Sequence, residues 1–64
     1  MYYILAMDYE GDYEIIDYAF DITEAQKIKE SQPFGYKVLK DKYLKAFMDV
    51  NTITNVNQWK SFIK

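Results

Sequence analysis

Asp8, Glu10, Asp12 and Glu14 stand at alternate positions around Gly11, and alternating carboxylates supply the hard oxygen ligands that Ca²⁺ and Mg²⁺ prefer. A helix–loop–helix calcium loop starting at Asp8 needs Gly at its sixth position and Glu at its twelfth, where this chain has Tyr13 and Ala19. A solvated turn is therefore expected here, with no metal. The chain contains neither His nor Cys, which removes the common zinc ligand sets, the imidazole base and the thiol nucleophile. Ser31 and Ser61 sit in no nucleophile motif. Glu14 and Asp17 could in principle share acid and base roles, but a turn-proximal strand in so small a domain offers little to push their pKa values apart. Gly11 and Gly35 are the only glycines and begin neither a phosphate loop nor a dinucleotide fingerprint. Neither catalysis nor a cofactor is expected.

The acids form a block. Asp8, Glu10, Asp12, Glu14, Asp17, Asp21 and Glu24 precede Lys27, and no basic residue does. From Lys27 onward all eight Lys of the chain face only Glu30, Asp41 and Asp49, so the net charge of −2 conceals an acidic half and a basic half. Such a layout bears on partners and association rates. Attraction between the halves, within a monomer or across a head-to-tail dimer, is the bland explanation, and surface pairs of that kind are weak. Within the basic half, Lys37, Lys40, Lys42 and Lys45 interleave with Tyr36, Tyr43 and Phe47, the mixture that a single-stranded nucleic-acid platform uses. The patch is small, the molecule is net acidic and Arg is absent, so the electrostatic term that dominates such binding is weak.

The elements that carry these groups follow from periodicity. Tyr2 to Tyr9 and Tyr13 to Phe20 read as a β-hairpin across a two-residue turn at Gly11, which supplies a positive φ. In that register Tyr3, Leu5 and Met7 share a face with Ile16, Tyr18 and Phe20. Tyr2, Ile4 and Ala6 share the other with Tyr13, Ile15 and Ala19, interrupted by Asp8 and Asp17. Asp21-Ile22-Thr23-Glu24 is a capping box, overlapped by a second over Thr23 to Gln26, with Phe20 and Ala25 placed as a hydrophobic staple. It opens a short helix with Ile22, Ala25 and Ile28 on one side, ended by Pro33 and Gly35. Tyr36 to Lys40 reads as a third strand. From Asp41, a plausible N-cap, to Val50 the pattern is helical, with Tyr43, Leu44, Ala46, Phe47 and Val50 on one arc; the competing reading is a second hairpin across Asp41-Lys42. Asn51 to Asn55 reads as a connector, and Val56, Trp59, Phe62 and Ile63 fall at helical spacing after Thr54 or Asn55.

Residues 1–64 are thus expected to form one α+β domain in the order ββαβαα, with ββαββα as the alternative. A chain of this length buries only about 60% of its unfolded surface. Without a disulfide or zinc site, it depends on a dense aromatic core or on self-association, so a homodimer is a natural expectation. Seven Tyr, four Phe and one Trp are more than a thin core readily absorbs, which directs some to an interface. No run reaches the roughly 20 apolar residues of a membrane span and no basic n-region opens the chain, so a cytoplasmic protein is expected. Abundant Lys, Asn, Ile and Tyr with no Arg fits an AT-rich genome, that of a low-GC bacterium or its phage. The functional expectation is a non-catalytic protein-binding module, a small phage or mobile-element accessory protein that inhibits or otherwise modulates a host protein by stoichiometric binding. Its contact surface is expected to be Tyr2, Ile4, Asp8, Glu10, Asp12, Tyr13, Glu14, Ile15 and Asp17, against a partner with a basic surface. A sharper version has the carboxylates standing in for nucleic-acid phosphates. The alternative function is single-stranded nucleic-acid binding through Lys37, Lys40, Lys42 and Lys45.

Overall fold

A computed structural model describes residues 1–61. Its elements are β1 (Tyr2–Met7), β2 (Tyr13–Ala19), α1 (Ile22–Ser31), β3 (Gly35–Lys40), α2 (Asp41–Val50) and a single 3-10 turn (Val56–Trp59). The strands form an antiparallel sheet in the order β2-β1-β3, which makes the fold α+β. The segment from Asp41 to Val50 is helix, so the second-hairpin alternative does not occur.

The hairpin forms where expected, but its turn and register differ. Tyr9, Glu10 and Gly11 make a three-residue loop: Asp8 N–H donates to Asp12 O at 2.8 Å and Gly11 N–H to Asp8 O at 3.1 Å, while Gly11 takes φ +88°. A type I turn followed by a left-handed glycine has this form. It pairs Met7 with Tyr13, Ala6 with Glu14 and Leu5 with Ile15. Ile16 is then an extra residue, a β-bulge, after which Ile4 meets Asp17, Tyr3 meets Tyr18 and Tyr2 meets Ala19. A one-residue slip exchanges the faces of a strand, so a loop one residue longer than expected turns Tyr13 and Ile15 over, and the bulge restores the expected faces beyond it. The face expected to join Tyr2, Ile4, Tyr13 and Ile15 is therefore divided between the two sides of the sheet. β3 carries a second bulge, at Tyr36, because Leu5 pairs with Lys37 and Ala6 with Gly35.

Each side has its own core. One joins Ile4, Ala19 and Ala25 of α1, with Tyr2, Ile16, Ile28 and Val38 against them. The other joins Tyr3, Leu5, Tyr13, Ile15 and Leu39 to Leu44 of α2 and to Ile53, with Tyr18, Phe47, Val56 and Trp59 alongside. Aromatic edges knit this second side: Tyr13 meets Phe47 at 4.9 Å between ring centroids, and Trp59 meets Tyr18 at 5.7 Å and Tyr3 at 6.1 Å. Such pairs add about 0.5–1.5 kcal/mol each beyond area burial.

α1 begins with Asp21 as N-cap, its carboxylate accepting from Glu24 N–H at 2.7 Å, the first half of the expected capping box. Phe20, expected as the staple residue, is 75% exposed and stands edge-on to Tyr18. Asp41 is the first residue of α2 and not its cap, a role Lys40 fills without a side-chain bond. The Asp41 backbone N–H donates to Met1 O at 2.9 Å, and its carboxylate lies 3.5 Å from the Met1 ammonium at the positive end of the helix dipole.

The connector is more than a linker. Tyr13 N–H donates to Thr52 O at 2.8 Å and Thr54 N–H to Tyr13 O at 2.9 Å, while Asn55 brackets Ile15, its Oδ1 accepting from the Ile15 N–H at 2.9 Å and its Nδ2 donating to the Ile15 carbonyl at 2.8 Å. One side-chain amide thus stands in for a peptide unit, and Ile53 drops into the core 7% exposed. This seals the turn end of the β2 edge, where an open ladder invites pairing with other chains. With its side chain so engaged, Asn55 leaves the following turn without a side-chain cap. That turn is a 3-10 helix of four residues; the expected positions of Phe62 and Ile63 in a longer helix lie outside the described residues.

Candidate functional site

α1 has ten residues, about 15 Å at 1.5 Å per residue. It starts beside the Tyr2 end of the sheet and stops near the turn end, where β3 begins opposite Ala6. Beyond its last turn an open hollow of about 500 Å³ remains, lined by Ala6, Met7, Asp8, Tyr9, Glu14 and Phe34. Ala6 and Glu14 are directly paired, so both belong to the face that α1 covers further along.

Two hydrogen-bonded turns flank the hollow, each holding an aromatic residue out into solvent. The first spans Asp8 to Gly11, with Tyr9 97% exposed. Its geometry is pinned by the Asp8 carboxylate, whose Oδ1 accepts from Glu10 N–H at 2.9 Å and Asp12 N–H at 3.0 Å. The second spans Gln32 to Gly35, with Gly35 N–H donating to Gln32 O at 3.2 Å. Pro33 sits at its second position, for which its fixed φ is suited, and Phe34 at the third is 76% exposed. An ideal Cβ on Gly35 would lie 2.7 Å from Lys29 O, so the close approach of this turn to α1 requires glycine.

The expected contact residues separate into three groups. Asp8, Glu10, Asp12 and Glu14 gather at the turn end, with Glu10 and Glu14 exposed. Ile4, Tyr13 and Ile15 are buried at 0%, 8% and 2% and serve the two cores, which removes them as a shared contact face. Tyr2 and Asp17 are half-buried toward the other end, where Asp17 accepts from Tyr18 N–H at 2.8 Å. The sequence pattern put Met7 on a hairpin face with Tyr3 and Leu5, ran Tyr9 into the first strand and gave Phe34 no role. The signal for Phe34 was the Pro-aromatic-Gly run at 33–35, a turn with a large apolar residue in it.

The lysines likewise do not form one platform. Lys37 reaches over the Phe47 ring at 5.8 Å on the α2 side, whereas Lys40 lies over Tyr2 at 5.9 Å on the α1 side. Lys42 lies 4.9 Å from the Tyr43 ring centroid, and Lys45 is exposed on α2. Of the expected core arc of α2, Leu44 and Phe47 make the contact with the core, whereas Tyr43 is 54% exposed and Ala46 and Val50 also face solvent.

Among the described residues, the only ion pair joins the Met1 ammonium to Asp41. Contact between the acidic and basic halves within the monomer therefore does not neutralise the turn-end carboxylates. No group of acidic residues among those described could hold a metal ion, and no described helix is long and apolar enough to cross a membrane. Burial, reinforced by the Asp41 carboxylate, raises the Tyr3 phenol above its ordinary pKa. Comparison of the chain with protein-family models, curated proteins and solved structures finds no match.

Proposed function

We propose that this chain is a non-catalytic protein-binding module whose working surface is the acidic, aromatic turn end of its sheet, and that it modulates the bound protein stoichiometrically. The observation that carries the reading is the joining, at one end of the fold, of an apolar hollow, two outward aromatics and carboxylates that no described lysine pairs. Aromatic anchors inside a charged rim are a common interface composition. The composition of the chain supports a low-GC bacterial or phage source, and a small accessory protein of such an element fits a role that needs no chemistry of its own.

The test is affinity capture from a low-GC bacterial lysate, comparing the wild type with a Glu10→Lys/Glu14→Lys double variant. Both side chains are exposed, so the fold should survive, as circular dichroism would verify. A protein held by the wild type and released by the variant supports the reading. Equal retention by both would refute it.

A further inference from the structure

Resting on that reading, we infer that the hollow accepts a bulky apolar side chain from a lysine- or arginine-rich segment of a partner protein, with Glu10 and Glu14 receiving the flanking cations. Shape, order and charge support this occupant. A volume of about 500 Å³ lies within the roughly 300–1,000 Å³ of ordinary binding pockets, and the small side chain of Ala6, only 8% exposed at the base, leaves depth between Tyr9 and Phe34. The backbone beneath those aromatics is already fixed, since each stands in a turn closed by its own hydrogen bond, so binding has only their side chains left to order. The lining contains Asp8 and Glu14 and no basic side chain. Glu10 and Asp12 extend the same sign around the loop. Like charge opposes a nucleic-acid strand here, while the absence of a neutralising described lysine favours a cationic one.

A second copy of the chain is a poorer occupant. Three lysines of its basic half already lie over their own aromatic rings at 4.9–5.9 Å, and docking basic half to acidic tip would be a head-to-tail contact that propagates unless its rotation closes a ring.

The experiment uses fluorescein-labelled peptides of alternating lysine and serine with one central tryptophan, and the same peptides with serine for tryptophan or glutamate for lysine. Binding is followed by fluorescence anisotropy and by the amide NMR shifts of Ala6, Glu14 and Phe34. The expected result is binding of the lysine–tryptophan peptide, weakened by added salt, with shifts at the hollow and affinity lower by on the order of tenfold or more for Phe34→Ser. Phe34 is 76% exposed, so its replacement spares the core, and the unfolding midpoint of the variant checks this. Equal binding of the serine-centred peptide would overturn the apolar pocket while leaving an acidic contact surface intact. Equal binding of the glutamate peptide would overturn the cation preference. Failure of every peptide, with capture still lost in the Glu10→Lys/Glu14→Lys variant, would overturn this inference and leave the binding function standing. Sedimentation showing a dimer dissolved by Phe34→Ser would assign the hollow to a second copy and also overturn it.

Discussion

Replacing Asn55 with Ala tests whether a side-chain amide completes the sheet. The substitution removes the bonds to the Ile15 N–H and carbonyl, at 2.9 and 2.8 Å and partly buried. At a net of about 0.5–1.5 kcal/mol per hydrogen bond, the pair is worth about 2 kcal/mol. A domain of this size has a total stability of roughly 3–10 kcal/mol, so the loss is a substantial fraction of it. With a urea slope of about 1 kcal/mol/M for so small a chain, the unfolding midpoint should fall by about 2 M. Native-state hydrogen exchange should show the Ile15 amide losing protection more than the amides of the β1–β3 ladder. Asn55→Asp sharpens the test, because it retains an acceptor for the N–H but turns a carboxylate oxygen toward the Ile15 carbonyl; it should destabilise at least as much as Ala at neutral pH. A midpoint shift under about 0.5 M for Asn55→Ala, with Ile15 protection unchanged, would refute the reasoning and reduce the contact to an incidental one.

Further outcomes follow from the packing and the caps. Gly35→Ala puts a methyl 2.7 Å from Lys29 O, so α1 and β3 must separate slightly, and thermal or urea unfolding should register a loss of about 1–3 kcal/mol. Asp21→Ala removes the acceptor for Glu24 N–H and should cost about 0.5–2 kcal/mol in the same assay, with Asp21→Asn close to wild type. Alkaline pH should destabilise the fold: Tyr3 is raised by burial and then by Asp41, so the unfolded phenol ionises first, near pH 10. Preference for the neutral phenol stabilises the fold fully below about pH 10 and is lost as pH rises through the higher folded value. Urea midpoints across pH 8 to about 11 should therefore fall at the alkaline end, and Tyr3→Phe should flatten that fall.

What the sequence disclosed was local. The Asp21 cap, the span of α2 from Asp41 to Val50 and the positive φ at Gly11 depend on neighbours within a turn or two, so periodicity and cap chemistry reveal them. The hairpin register was not legible, because loop length and a bulge each displace the strand by one residue and either Glu10-Gly11 or Gly11-Asp12 looks like an adequate two-residue turn. That slip turned over Tyr13 and Ile15 and dissolved the expected contact face. The Asn55 clasp was hidden for another reason: it joins a side chain to a backbone across 40 positions, and such a bond leaves no repeating pattern. Ile53, a lone large apolar residue between Thr52 and Thr54, was the clue. Of the candidate site, the carboxylates were visible as a block, but the hollow arises from where α1 stops relative to the sheet, a geometric fact that no run of residues encodes.

The clasp of Asn55 on Ile15 also sets a timetable for the nascent chain. Ribosomes deliver residues in order and a hairpin can form in microseconds, so β1 and β2 can meet before the later segments pack against them. Yet the outer edge of β2 acquires its partners only when Thr52 to Asn55 are made. Until they are in place, the hairpin is left with an open ladder at Tyr13 and Ile15. A chain cut near residue 50 would hold all three strands and both main helices but keep an unsealed border, open to stray pairing. The folded molecule escapes that hazard through four residues, Thr52 to Asn55, far along the chain from the strand they seal.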